Sequence, residues 1–309
     1  MDMPATIREN SSNSGLNGRR LSSEASITRL QFGTVLARLP RLPLLLVAAV
    51  LYSTVEARQS PSPLQVDFFP AESHPGDVVR IDVAGHESVS ATVLGKHVTD
   101  GLIGIDLDTK PGTYAVTVKT GDGRSAVSSL HVLPKDFPVR RLRVAPSFVE
   151  PPAGEIERIT RELKTTEGIF HTTTARKWRG PFRLPVDAAL NSNFGSRSYF
   201  NGRRRSPHAG VDLMAGRGVP VRAANTGVVA LAEPLYFTGN TVIIDYGSGL
   251  YSLFAHLSEF KVKSGDVVSP DTVVGLVGDT GRVTGAHLHW SVRLQGARVD
   301  PLSLVAATK

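Results

Sequence analysis

After residue 183 the chain carries no long helical periodicity, and this limits the fold more than any other feature. In its place stand brief Val- and Ile-rich runs separated by glycine: Gly227-Val-Val-Ala-Leu-Ala232, Thr241-Val-Ile-Ile-Asp245 and Val273-Val-Gly-Leu-Val277. β-Branched side chains lose rotamer freedom in a helix and pack well on a pleated surface, so these runs are read as strands. The same reading applies upstream. Between Pro63 and Pro134 the runs 78–83, 113–119 and 126–132 alternate apolar and polar residues, with turns such as Pro75-Gly-Asp77 and Pro111-Gly112 between them. Regular short strands with such turns predict an antiparallel β-sandwich of immunoglobulin-like type. A connector over 135–183 holds a helical signal: after Pro151-Pro152, Ile156, Ile159 and Leu163 recur at i, i+3 and i+7. That apolar stripe needs cover, so the connector is expected to pack on a neighbouring domain. The expected fold class is mainly β: an N-terminal sandwich (63–134), a short helical connector (135–183) and a C-terminal strand-rich domain (184–305).

Four histidines and one aspartate stand in three clusters within that last segment: His208-Ala-Gly-Val-Asp212, His256 and His287-Leu-His289. A catalytic zinc requires three nitrogen or oxygen ligands, a position left open for water and a neighbouring group to move protons. The clusters supply all of these. Ala286-His-Leu-His-Trp-Ser-Val292 reads as a strand, which places His287 and His289 on one face. Between His208 and Asp212, Gly210 and Val211 favour a bent strand or loop over a helix. Each cluster has an ordinary structural explanation when taken alone. The weight comes from their falling in order within one compact Gly-rich segment, while the other five of the nine histidines show no such grouping.

On these residues the segment from about Phe182 to Leu302 resembles the M23 (LytM/lysostaphin-type) zinc metallopeptidases, which cut peptides in bacterial peptidoglycan. The matching stretches are Ser192-Asn-Phe-Gly-Ser-Arg197, Pro207-His-Ala-Gly-Val-Asp-Leu213, Gly239-Asn-Thr-Val-Ile-Ile-Asp245, Phe254-Ala-His-Leu-Ser258, Lys263-Ser-Gly-Asp-Val-Val268 and Gly278-Asp-Thr-Gly-Arg-Val-Thr-Gly-Ala-His-Leu-His-Trp290. The resemblance implies an antiparallel sheet with an open groove, with His208, Asp212 and His289 as zinc ligands and His256 and His287 as unliganded catalytic histidines. It also implies a zinc endopeptidase acting on peptidoglycan cross-links or stem peptides. The alternative is a non-catalytic LytM-like scaffold that binds wall or activates another hydrolase. Such degenerate relatives lack ligand residues, whereas all five positions are filled here. Two positions depart from the family pattern: Ala286 stands where Pro is common, and Tyr246 where many members have His.

Charge and the N-terminus bear on location. With 35 Lys+Arg against 28 Asp+Glu the net charge is +7, which suits an anionic partner. No nucleic-acid motif accompanies it, and the cell wall is anionic. Arg203-Arg-Arg205 is read as a solvated loop, the alternative being a contact with the anionic stem peptide. The absence of cysteine excludes disulfides and thiolate metal ligands. Leu42–Tyr52 is an apolar run preceded by Arg29, Arg38 and Arg41 and followed by Val55-Glu56-Ala57. It is too short to span a bilayer, which takes about 20 residues. Residues 1–57 are therefore expected to be a leader with a cleaved signal peptide, or else an N-terminal anchor that would be the chain's only membrane attachment. Export to the periplasm, cell envelope or medium follows.

Overall fold

The structure is a computed structural model and describes residues 63–87, 89–143, 150–191 and 194–309. The alternating N-terminal runs form β1 (Val66–Phe69), β2 (Val78–Val83), β3 (Val89–Val93), β4 (Lys96–Val98), β5 (Leu102–Gly104), β6 (Gly112–Thr120) and β7 (Ser125–Val132). They pair as two antiparallel sheets, ordered β1-β2-β5 and β4-β3-β6-β7. Period-two alternation decides which side chains face inward. Val79, Ile81 and Val83 of β2 enter one core with Ala91, Val93, Val116, Val118, Leu130 and Val132. Val78, on the opposite face of β2, belongs to a second core together with Leu102 and Leu107.

That second core is built by the rest of the chain. A short strand, β8 (Val139–Leu142), precedes the helix α1 (Ile156–His171). Then follow β9 (Ala189–Asn191), β10 (Arg197–Phe200), β11 (Arg203–Arg204), β12 (Gly210–Met214), β13 (Pro220–Arg222), β14 (Gly227–Leu235) and β15 (Gly239–Gly247). The series continues with β16 (Leu250–Leu257), β17 (Glu259–Phe260), β18 (Val267–Val268), β19 (Val273–Leu276), β20 (Leu288–Leu294), β21 (Ala297–Val299) and the helix α2 (Pro301–Ala307). The main sheet runs β18-β14-β15-β16-β20-β12-β9, with β21 also paired to β20. Two three-stranded sheets, β13-β19-β17 and β11-β10-β8, flank it.

The central strands are covered on both faces, so their sequences read as near-continuous apolar runs. Val242, Ile244, Phe254 and Trp290 enter the second core. Ile243 and Tyr251 face the other way with Leu231, and Ile169 and Phe170 of α1 pack against them. The expected stripe on α1 is only partly used. Ile159 is buried, but Ile156 and Leu163 are 54% and 57% exposed. The seam that meets the sheet runs instead through Ile159, Glu162, Thr166, Ile169 and Phe170, with polar members held by hydrogen bonds. Among the described residues no helix is long and apolar enough to cross a membrane. The leader expected over 1–57 lies outside the described residues.

Candidate functional site

Antiparallel pairing of β12 with β20 sets Asp212 directly opposite His289. Gly210 permits this closeness: a Cβ there would lie 2.5 Å from the Trp290 carbonyl oxygen and 2.8 Å from Cε1 of His289. His208 precedes β12, its N–H donating to the Ser196 carbonyl and its own carbonyl accepting from Gly195. On the other side of β20, Ala255 of β16 faces His289, and His256 comes next. His256 has a left-handed backbone, φ 64°, where the β15–β16 register shifts between Asn240 and Val242. Its N–H leaves the ladder to donate to the Thr238 carbonyl at 2.8 Å. A bulge of this kind re-aims a side chain, and the His256 ring lies 5.0 Å from that of His287 and 6.0 Å from that of His289. His287 sits just before β20, bridged to Gly278.

The five residues named from the sequence thus converge. Nε2 of His208 is 3.0 Å from Nδ1 of His289 and 3.2 Å from Oδ1 of Asp212. Nδ1 of His289 is 3.0 Å from the same carboxylate oxygen. These three residues form a group able to hold a metal ion. Nε2 of His287 lies at 3.7 Å from Oδ1 of Asp212. His256 and His287 are oriented alike: each donates its Nδ1–H to a backbone carbonyl, of Thr280 and Gly285 respectively, both at 2.9 Å. That fixes the proton on Nδ1 and leaves Nε2 as the lone-pair nitrogen.

Burial and hydrogen bonding set the charge of these groups. Burial pushes the Asp212 carboxyl up, but hydrogen bonds from His208 and His289 outweigh it and hold the group well below the usual carboxylate range. Burial, reinforced by the neighbouring His289, brings His256 down to about 4 against the opposing Thr280 carbonyl. Burial likewise lowers His289. His256 is therefore a neutral imidazole at pH 7, able to accept a proton.

The site floors a groove lined also by Arg140, Phe200, Arg205, Phe237, Thr238 and Arg282. Arg203 and Arg204, expected as a solvated loop, form β11 and are exposed, and Arg203 pairs with Glu150. Arg205 alone of the three reaches the groove. Arg140 had no sequence signal: it arrives on β8, which pairs in parallel with β10. Thr280, which orients His256, lies inside the Gly278–Trp290 stretch noted above, but nothing local to it announces a carbonyl aimed at an imidazole.

Comparison with known proteins finds M23 peptidases. The model of Peptidase family M23 matches residues 206–301. A crystal structure of an M23-type peptidase from Pseudomonas aeruginosa is 32% identical, with TM-score 0.60, covering 76% of this chain and 95% of that one. Among curated proteins, the DD-carboxypeptidase/endopeptidase Mpg of Neisseria meningitidis is 39% identical over 132 residues, 42% of this chain and 30% of that protein. The peptidoglycan DD-endopeptidase ShyA of Vibrio cholerae is 37% identical over 123 residues, 39% of this chain and 29% of that protein. The match therefore spans about a third of the length of these curated relatives.

Proposed function

Because this chain belongs to peptidase family M23, we propose that it is a zinc endopeptidase that hydrolyses peptide bonds in bacterial peptidoglycan. One observation carries the reading: three donor atoms, on His208, Asp212 and His289, meet within 3.2 Å of one another beside two histidines whose Nε2 atoms are free of backbone partners. The donor set fits zinc. Two atoms bound tetrahedrally at about 2.0–2.2 Å sit roughly 3.3–3.6 Å apart, so these side chains need to separate by only a few tenths of an ångström. When bound, zinc supplies Lewis-acid polarisation of a carbonyl and brings the pKa of water from 15.7 to about 7.

This chain's residues do the rest. Asp212 is anionic beside the two ligand imidazoles and balances charge. One histidine of the pair His256 and His287 takes the proton of the attacking water at Nε2, and the pair delivers that proton to the departing amine, with Nδ1–H anchored on Thr280 and Gly285 throughout. Arg140, Arg205 and Arg282 along the groove present guanidinium groups to the carboxylates of an anionic stem peptide. The relatives' names point to a D,D bond. The substrate places the enzyme in the cell envelope or periplasm, reached by export through the leader. We also read 63–134, 135–183 and 184–305 as sandwich, connector and peptidase modules of one enzyme.

The deciding experiment is release of soluble fragments from purified peptidoglycan by residues 58–309, with and without a chelator, beside His289→Ala. Fragments bearing new amino ends, abolished by chelator and by the substitution, are expected. Wall binding without release would favour a non-catalytic scaffold.

A further inference from the structure

A second cavity lies under α1, on the sheet face that carries His289. Along β20 the residues His289, Ser291 and Arg293 share that face, while Trp290, Val292 and Leu294 are buried on the other. Four residues of strand put Arg293 about 13 Å from His289. The cavity holds about 180 Å³ and is walled by Ile159, Leu163 and Phe170 of α1 and by Leu235, Phe237 and Leu253. Arg293 is the cation in this apolar setting. Its guanidinium stands 5.5 Å from the Phe170 ring centroid and, among the described residues, has no carboxylate within ion-pair distance. The one carboxylate lining the cavity is already engaged: Glu162 accepts from Nε of Arg158 and from the Tyr236 N–H, each at 2.7 Å.

We propose that this cavity is a binding site for a small monocarboxylate with an aliphatic or aromatic tail, its carboxylate held by Arg293 and its tail by the walls between α1 and the sheet. A guanidinium that lines an apolar cavity without a counter-ion in contact favours an anion beside it. The volume is about six times a water's share of the liquid, and beyond Arg293 and the engaged Glu162 the walls are apolar apart from Thr166 and Thr238. A molecule that is anionic at one end and apolar at the other satisfies both demands. Leu163, more than half exposed, marks the mouth. Phe237 and Thr238 are common to this cavity and to the catalytic groove, so the ligand would sit directly behind the wall that holds His256.

The test is calorimetric titration of the full chain at pH 7 with hexanoate, hexanol and hexylamine, a readout independent of peptidase activity. Saturable binding of hexanoate, at least tenfold tighter than hexanol and absent for hexylamine, is expected. Arg293→Met should weaken it tenfold or more, and Leu163→Trp, which plugs the mouth without disturbing a packed position, should abolish it. If Arg293→Met fails to fold, Arg293→Lys, which keeps charge and loses the planar fork, and Leu163→Trp decide. No saturable hexanoate binding, or binding equal to that of hexanol or unchanged in these variants, would overturn the proposal.

Discussion

Gly210 carries no chemistry, yet the distance between the two strands of the site depends on it. A methyl group there would press on the Trp290 carbonyl and on the His289 ring, whose Nε2 would be 2.9 Å away. Forcing an extra methylene-sized group into a packed position costs about 1–3 kcal/mol. Gly210→Ala should therefore release metal although every ligand is intact, which elemental analysis after dialysis measures against the native protein. The histidines divide differently. Asp212→Ala should lose the metal, whereas His256→Ala should keep it and lower kcat by about 10²–10⁴ with KM little changed, the range for removing a proton-transfer group. Equal metal loss in both variants would place His256 among the ligands. The clusters were legible because five residues of suitable type fall in order within one compact Gly-rich segment, while their division into ligands and unliganded histidines came only from the family resemblance. Arg140 and the Thr280 carbonyl were not legible, since their role exists only once β8 lies beside β10 and the loop before β20 has folded back.

At the scale of elements, the ion pair between Asp106 and Arg298 joins the loop after β5 to β21. Arg298 reaches Oδ1 of Asp106 at 2.6 Å and Oδ2 at 3.1 Å, and its backbone N–H adds a third bond at 2.9 Å. Burial pushes the Asp106 carboxyl up, but these hydrogen bonds prevail and hold it at about 2, below its ordinary 3.8. A carboxyl whose folded pKa is depressed stabilises the fold fully above its unfolded value and loses that contribution as pH falls through the folded one. The contribution, about 2 kcal/mol, is thus present above about pH 4 and gone near pH 2. Asp106→Asn should lower Tm at pH 7 by about 4–8 °C, and the gap to the native protein should narrow between pH 4 and 2. A gap independent of pH would mean that Asn disturbs packing instead. Strands were the readable elements: the run at 78–83 matches β2 at both ends. The helix was readable in place but not in facing, because its seam uses Glu162 and Thr166, whose hydrogen bonds no apolar periodicity reveals.

The whole molecule raises the question of what the N-terminal sandwich does for the groove. Its β2 is two-faced, with Val79, Ile81 and Val83 in its own core and Val78 in that of the C-terminal region. The Val78 N–H donates to Ser303 Oγ at 2.8 Å. Gly104 stands so close to β20 that a Cβ would meet the Leu294 carbonyl oxygen at 2.9 Å. Among the described residues none from 63–134 lines the catalytic groove. The sandwich is therefore attached as a structural partner of the C-terminal region, and among the described residues it does not stand over the histidines. A mainly β chain was evident from periodicity, but this fusion was not, since a residue facing a second core looks the same in sequence as one facing solvent or its own. Two consequences are measurable. Residues 60–309 should unfold in a single calorimetric transition, because the shared core couples the two parts. The fragment 135–309 bares Leu294 and Ala297, against which Gly104 packs, and should melt lower with no gain in kcat. A several-fold rise in kcat at unchanged Tm would instead assign the sandwich an inhibitory role, through an arrangement in which it leaves this position and reaches the groove.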